Sequence, residues 1–280
     1  MHEDEVAVDA ALASKLLGRD DVVPVPSTGT SNVIFRVGPD LVARFPRIGL
    51  AVAQVERDHE WLPRLAPHLP VAVPEPVAVG APGHDYPFPW ALHRWIDGTN
   101  PTAPSHQLAL DLAAFVRSLH SMPVDAVRDS ERGGPLALRD EATRARIADL
   151  GDRVDAAAVV DAWDEALAEP VWDGPPAVLH GDLCPGNVLV REGRLAAVID
   201  WGSFGIGDPA GDLGVGWNLL DAPTRATFRE AVGVDDATWG RGRGRALSVA
   251  VIQLPYYWDS NPGLAAQARR TIAEVLADRA

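Results

Sequence analysis

At 280 residues with a formal net charge of −14, the chain is long enough for two lobes with a sizeable core. Its surface repels nucleic acid and anionic membrane and attracts cations. No apolar run approaches the ~20 residues that span a bilayer, and the start, Met1-His2-Glu3-Asp4-Glu5, lacks the basic residues of a signal peptide. The single cysteine, Cys184, excludes an internal disulfide and a thiolate metal cluster. These features predict a cytoplasmic protein with no nucleic-acid or membrane partner. The acidic balance has two readings, solubility alone or attraction of a cationic substrate.

Val6 to Leu17 is rich in alanine and predicts a surface helix, followed by a short extended segment from Val22 to Pro26. Ser27-Thr28-Gly29-Thr30-Ser31-Asn32 is a loop of small hydrogen-bonding residues. Val33 to Val37 and Leu41 to Phe45 then read as an antiparallel hairpin turned at Gly38-Pro39-Asp40, with Val33, Phe35 and Val37 on one face. A helix follows from about Ile48 to Leu62, in which Ala51, Val55, Asp58 and Leu62 share a stripe. A carboxylate on that otherwise apolar stripe needs a partner or an aqueous cleft. Val71 to Val79 and Pro89 to Ile96 give further strand signals. Asp97-Gly98-Thr99-Asn100-Pro101 breaks the pattern, which divides the chain into an N-terminal lobe with linker over residues 1–98 and a C-terminal lobe over 99–280.

The second lobe is mostly helical. Leu108, Leu112, Phe115, Val116 and Leu119 make a helical stripe, and helical signals recur over Arg139 to Leu150, over Val159 to Ala168 and from about Asp212 onward. Two short strands interrupt them, Asn187 to Arg191 and Arg194 to Ile199, with a turn at Glu192-Gly193. Strands first and helices later make an α+β class with two lobes.

The chemistry concentrates around those two strands. Val178-Leu179 leads into the polar loop His180-Gly181-Asp182, with Asn187 five positions after Asp182 and Asp200 thirteen after Asn187. Each piece alone is an ordinary turn, and Asp182 alone would read as a carboxylate capping a backbone amide. Together they supply what phosphoryl transfer needs, a carboxylate to take the hydroxyl proton and two oxygen donors for magnesium on the nucleotide phosphates.

His180-Gly181-Asp182-x-x-x-x-Asn187, Ile199-Asp200-Trp201-Gly202 and Asp208-Pro209-Ala210-Gly211-Asp212-Leu213 resemble the catalytic loop, metal-binding segment and following segment of the aminoglycoside phosphotransferase family. These small-molecule kinases share the protein-kinase-like fold. The resemblance extends to Ser27 through Arg47 and Tyr86 through Gly98, and is weakest after about Asn218. It implies a bilobal fold with an antiparallel sheet in the first lobe, Asp182 as catalytic base and Asn187 and Asp200 as Mg²⁺ ligands. It also implies that His180 braces the loop and that Asp212 accepts backbone N–H groups.

The same resemblance assigns the nucleotide contacts. Lys15, the only lysine, precedes the sheet, so Arg44 is the candidate cation for the phosphates, tethered by Asp58 in place of the usual glutamate. Ser31 and Asn32 belong to the loop over the phosphates, and Arg94 to Ile96 form the linker that meets the base mainly through its backbone. Tyr257, Trp258 and Asp259, late in the helical lobe, are acceptor candidates, since rings beside carboxylates suit a cationic or sugar-bearing molecule; helix packing with Asp259 as a cap is the equal alternative. The expected activity is transfer of the γ-phosphoryl group of ATP or GTP to a hydroxyl of an aminoglycoside or other natural-product antibiotic. The alternatives are a sugar-like metabolite as acceptor, and a catalytically inactive nucleotide-binding module. A protein kinase fits poorly, because twelve positions from Asp200 to Asp212 leave little room for a peptide-docking segment.

Overall fold

The computed structural model describes residues 5–27, 29–125 and 127–279; Thr28 of the small-residue loop and the first four residues of the acidic start lie outside them. The chain divides into two compact units: Met1–Gly98 with Ala196–Gly202, and Thr99–Leu195 with Ser203–Ala280. The segment carrying Asp200 therefore belongs with the early part of the chain.

In the first unit, helix α1 (Ala10–Leu17) begins later than the alanine-rich pattern predicts, because Asp9 accepts the Leu12 N–H and so fixes the first turn. It ends at Gly18 in a left-handed conformation. Strands β1 (Val22–Pro24), β2 (Asn32–Val37) and β3 (Leu41–Pro46) form a meander. Helix α2 (Val52–Leu65) and strands β4 (Pro76–Gly80) and β5 (Trp90–Arg94) follow. The sheet is antiparallel throughout, in the order β1-β2-β3-β5-β4.

Strand alternation sorts β3 into two roles. Ala43 and Phe45 are buried with Phe35, Val37, Tyr86, Trp90 and Ala13 of α1 in one apolar cluster. Phe45 packs edge-on against Phe35 and Tyr86, with centroids 5.8 and 5.6 Å away. Arg44, between Ala43 and Phe45, faces away from that cluster. The α2 stripe Ala51, Val55, Asp58 and Leu62 is buried as its spacing predicts.

The second unit is mainly helical. Helix α3 (His106–His120), capped by Ser105, buries Leu108, Leu112, Phe115, Val116 and Leu119. Helices α4 (Asp140–Leu150) and α5 (Ala156–Ala168) precede strands β6 (Ala177–Leu179) and β7 (Val188–Arg191). The turn Glu192-Gly193, with positive φ at both residues, sends the chain into β8 (Arg194–Val198), whose last residues pass into the first unit. Strand β9 (Gly205–Gly207) pairs antiparallel with β6. The chain ends in α6 (Val215–Asn218), α7 (Ala222–Val232), α8 (Asp236–Tyr257) and α9 (Pro262–Ala277). An antiparallel sheet unit followed by a helical unit is the α+β class that the pattern of elements predicts. Among the described residues no helix is long and apolar enough to cross a membrane.

Candidate active site

The loop after β6 is held from below by one carboxylate. Asp212 is fully buried and accepts the N–H groups of His180 at 3.0 Å and Gly181 at 2.7 Å, with His120 Nε2 at 3.2 Å. Burial alone would raise its pKa, but the His120 hydrogen bond, the imidazoles of His120 and His180 and the Gly181 N–H hold it below the usual carboxylate range. Gly181 has φ of 80°, and a Cβ there would stand 2.7 Å from the Ser203 carbonyl oxygen, so the loop needs glycine. Buried His180 accepts the Asp182 N–H on Nδ1 at 3.2 Å.

Asp182 is partly exposed at the end of this braced turn. Asn187 closes the loop: its Nδ2 donates to the Asp182 carbonyl at 2.9 Å and to the Asp182 carboxylate at 3.2 Å. The amide is thereby oriented, and its remaining polar atom, Oδ1, is a hard oxygen donor. Two residues without a sequence signal support the segment. Asn100 Nδ2 lies 3.0 Å from each of the carbonyls of Pro185, Gly186 and Val188, and Asn218 donates to Leu183 O at 2.8 Å. Asn100 stands out in sequence only as part of a chain break, and Asn218 not at all.

In the first unit a second cluster forms on the α2 face of the sheet. Arg44 donates to Asp200 Oδ1 at 2.8 Å and lies 3.4 Å from Asp58 Oδ2. Burial would lower the arginine's pKa, but Asp200 and Asp58 raise it, so the guanidinium stays charged. Burial pushes Asp58 up to about 7, with Arg44 pulling it down and Asp200 pushing it further up. Gln54, one turn before Asp58, donates to Asp200 Oδ1 at 2.9 Å and lies 3.4 Å from Asp58 Oδ2. Arg57 donates to the Gly202 carbonyl at 3.0 Å. Asp200 itself has φ of 63°, a strained conformation for a residue with a Cβ. On β5, buried His93 is driven down to about 3 by burial, Arg44 and His59, so it is neutral.

The other candidates divide. Ser31 accepts the Arg47 N–H at 2.9 Å, and Asn32 opens β2 opposite Pro46. In the linker the Arg94 N–H bonds to Glu75 O at 2.9 Å and the Trp95 N–H to Asp40 O at 2.8 Å. Two of the three linker N–H groups are therefore already engaged, while Ile96 is partly exposed. Trp95 is no core residue: Arg36 stacks on its ring at 4.3 Å and its Nε1 bonds to Asp97. Tyr257 ends α8 and Trp258 follows it, partly buried, with Asp259 exposed. The guanidinium groups of Arg153 and Arg269 lie 4.6 and 5.1 Å from the Trp258 ring centroid.

A model of the phosphotransferase enzyme family (APH) matches residues 21–247. The chain belongs to this family. An aminoglycoside 3'-phosphotransferase of Escherichia coli is 32% identical over 123 residues, which cover 39% of this chain and 42% of that enzyme. The match thus spans less than half of that relative's length. Among solved structures, the GDP and kanamycin complex of APH(2")-IIia superposes with a TM-score of 0.76 over 96% of this chain and 98% of the other, at 20% identity. Macrolide 2'-phosphotransferase MphH from Brachybacterium faecium superposes with a TM-score of 0.61 over 95% and 97%, at 24% identity. At such identities the likeness is one of fold.

Among the described residues no group of three or more His, Cys, Asp or Glu side chains is placed to hold a metal ion. Carboxylate and carboxamide oxygens are donor types that suit Mg²⁺, which keeps several waters and takes remaining ligands from phosphates. The donor types of Asp200 and Asn187 fit that ion and not zinc.

Proposed function

We propose that the protein is a small-molecule kinase that moves the γ-phosphoryl group of ATP or GTP to a hydroxyl of an aminoglycoside or another natural-product antibiotic. The observation that carries this reading is the braced loop: Asp212 fixes the His180 and Gly181 amides, and Asn187 sits on the Asp182 carboxylate. A merely structural turn has no need of a partly exposed carboxylate held by an amide on a loop that a buried carboxylate braces. Family membership and the names of relatives that phosphorylate aminoglycosides supply the acceptor class.

In this reading Asp182 orients the acceptor hydroxyl and accepts its proton. Asn187 holds Asp182 in place and, with Asp200, supplies oxygen ligands to Mg²⁺. Bound Mg²⁺ would neutralise charge on the nucleotide phosphates. Arg44 meets phosphate oxygens, Asp58 tethers it, Ser31 and Asn32 cover the phosphates, and Arg94 to Ile96 meet the base. Tyr257, Trp258 and Asp259 contact the acceptor.

The test is nucleotide consumption by the purified protein with ATP and with GTP, across aminoglycosides, macrolides and sugar metabolites. Mass spectrometry then detects the phosphorylated product. Turnover on an antibiotic hydroxyl is expected; turnover on sugar metabolites alone, or none with any acceptor, overturns the reading.

A further inference from the structure

Asp200 carries an awkward load. Its backbone is in the left-handed region, and both Arg44 and Gln54 donate to the same carboxylate oxygen, Oδ1, at 2.8 and 2.9 Å. If Arg44 serves the nucleotide phosphates, a donor that stays on Asp200 Oδ1 keeps the carboxylate oriented.

Gln54 is such a donor. It is buried on α2, its side chain is uncharged, and its Nε2 spans Asp200 at 2.9 Å and Asp58 at 3.4 Å. The backbone around it is shaped for the amide: a Cβ on Gly202 would stand 3.0 Å from Gln54 Oε1 and 3.2 Å from its Cδ and Nε2. Three residues along the same helix, Arg57 takes the Gly202 carbonyl at 3.0 Å. Helix α2 thus grips the segment from Asp200 to Gly202 at two points, through a neutral amide and a guanidinium.

Resting on the kinase reading above, we infer that Gln54 is a positioning residue that keeps Asp200 Oδ1 engaged when Arg44 turns to the nucleotide, and so holds the carboxylate in its orientation toward the metal. A neutral donor suits this place. A lysine or arginine there would compete with the metal for the carboxylate, and a glutamate would repel both Asp200 and Asp58. Groups that orient a metal ligand without touching the metal set affinity by about 10- to 100-fold.

The experiment measures Mn²⁺ binding with ADP present, from the free-Mn²⁺ electron paramagnetic resonance signal, so it needs no acceptor and no turnover. The variants are Gln54→Met, which keeps length and loses the donor, Gln54→Glu, and Gly202→Ala, which presses on the amide without removing it. Thermal unfolding and metal-free ADP binding report on folding. Gln54→Met and Gln54→Glu should weaken Mn²⁺ by about 10- to 100-fold, with Gly202→Ala shifted less in the same direction and metal-free ADP binding unchanged. The parent and Asp200→Asn serve as reference. If the parent binds Mn²⁺ and Asp200→Asn does not, yet the folded Gln54 variants bind Mn²⁺ as the parent does, the role of Gln54 is overturned and the kinase reading stands. If the Gln54 variants fail to fold, Gly202→Ala decides in the same way. Loss of metal-free ADP binding equal to the Mn²⁺ loss would make Gln54 a general support of the fold and overturn the inference. No Mn²⁺ binding by the parent would overturn both readings.

Discussion

Arg44 stands closer to Asp200, at 2.8 Å, than to Asp58, at 3.4 Å. A glutamate at position 58 would reach further across the same gap, so the short side chain leaves the guanidinium shared between two carboxylates. The cation proposed for the phosphates is thus held by a carboxylate proposed for the metal.

Removing that cation should act on the nucleotide. Arg44→Ala is expected to raise the nucleotide KM by roughly 10- to 100-fold, the equivalent of one charged hydrogen-bonded contact. The acceptor KM should change little. Arg44→Lys should keep part of the activity, since the charge remains and the two-pronged contact does not. Steady-state kinetics with each substrate varied in turn decide it; an unchanged nucleotide KM in Arg44→Ala would remove Arg44 from the site.

Asp58 makes stability depend on pH. Its folded-state pKa is raised to about 7, against ~3.9 when unfolded. Between those values the folded state binds the extra proton, so this group's contribution is full at the acid end and is lost as pH rises through about 7. Thermal unfolding of the parent and of Asp58→Asn across that window gives the contribution as a difference in slope. The parent should lose stability relative to the variant as pH rises, and parallel curves would mean that Asp58 is ionised throughout.

How much of this could be read from the chain follows the physics of each signal. The Asp58 stripe, the β2–β3 hairpin and α3 were legible because burial imposes a period on apolar residues. The β6–β9 pair was not. Gly205 and Gly207 carry no strand signal, and they are glycine because other backbone comes too close: a Cβ on Gly207 would stand 2.4 Å from Gly133 Cα. The loop carboxylates were legible because their spacing is local. Gln54, Asn100 and Asn218 were not, because a single amide that reaches across the fold leaves no periodic trace. Only the four-residue spacing from Gln54 to Asp58 hints that both face one way.

Asp212 holds the loop that carries Asp182 through two buried N–H groups. Asp212→Ala leaves both without an acceptor and removes the His120 partner, at a cost of roughly 3 kcal/mol or more. Chemical denaturation should show the loss, and kcat should fall with it. Full stability in the variant would mean that the loop keeps its shape by other means.

Metal dependence follows from the donor set. Turnover should require Mg²⁺ or Mn²⁺ and disappear in EDTA, because the proposed ligands are a carboxylate and a carboxamide oxygen. Recovery on adding back either ion completes the test, and full activity in metal-free buffer would refute the assignment of Asn187 and Asp200.

Asp182 is the proposed base. It is partly exposed, its N–H rests on His180 and its carboxylate on Asn187. Phosphoryl transfer passes through a loose transition state, so the hydroxyl proton moves late and orientation matters as much as basicity. Asp182→Asn keeps the size and one acceptor oxygen while removing the charge. The hydroxyl then loses its base, and kcat should fall by ~10²–10⁴. Nucleotide affinity should barely move, because the proposed nucleotide contacts lie with Arg44, Asp200, Asn187 and the linker. Asp200→Asn should instead weaken metal and nucleotide binding together. Measuring kcat and nucleotide Kd for both variants beside the parent separates the two roles. Normal turnover in Asp182→Asn would mean that another group takes the proton, and equal loss of nucleotide binding in both variants would leave no distinction between base and metal ligand.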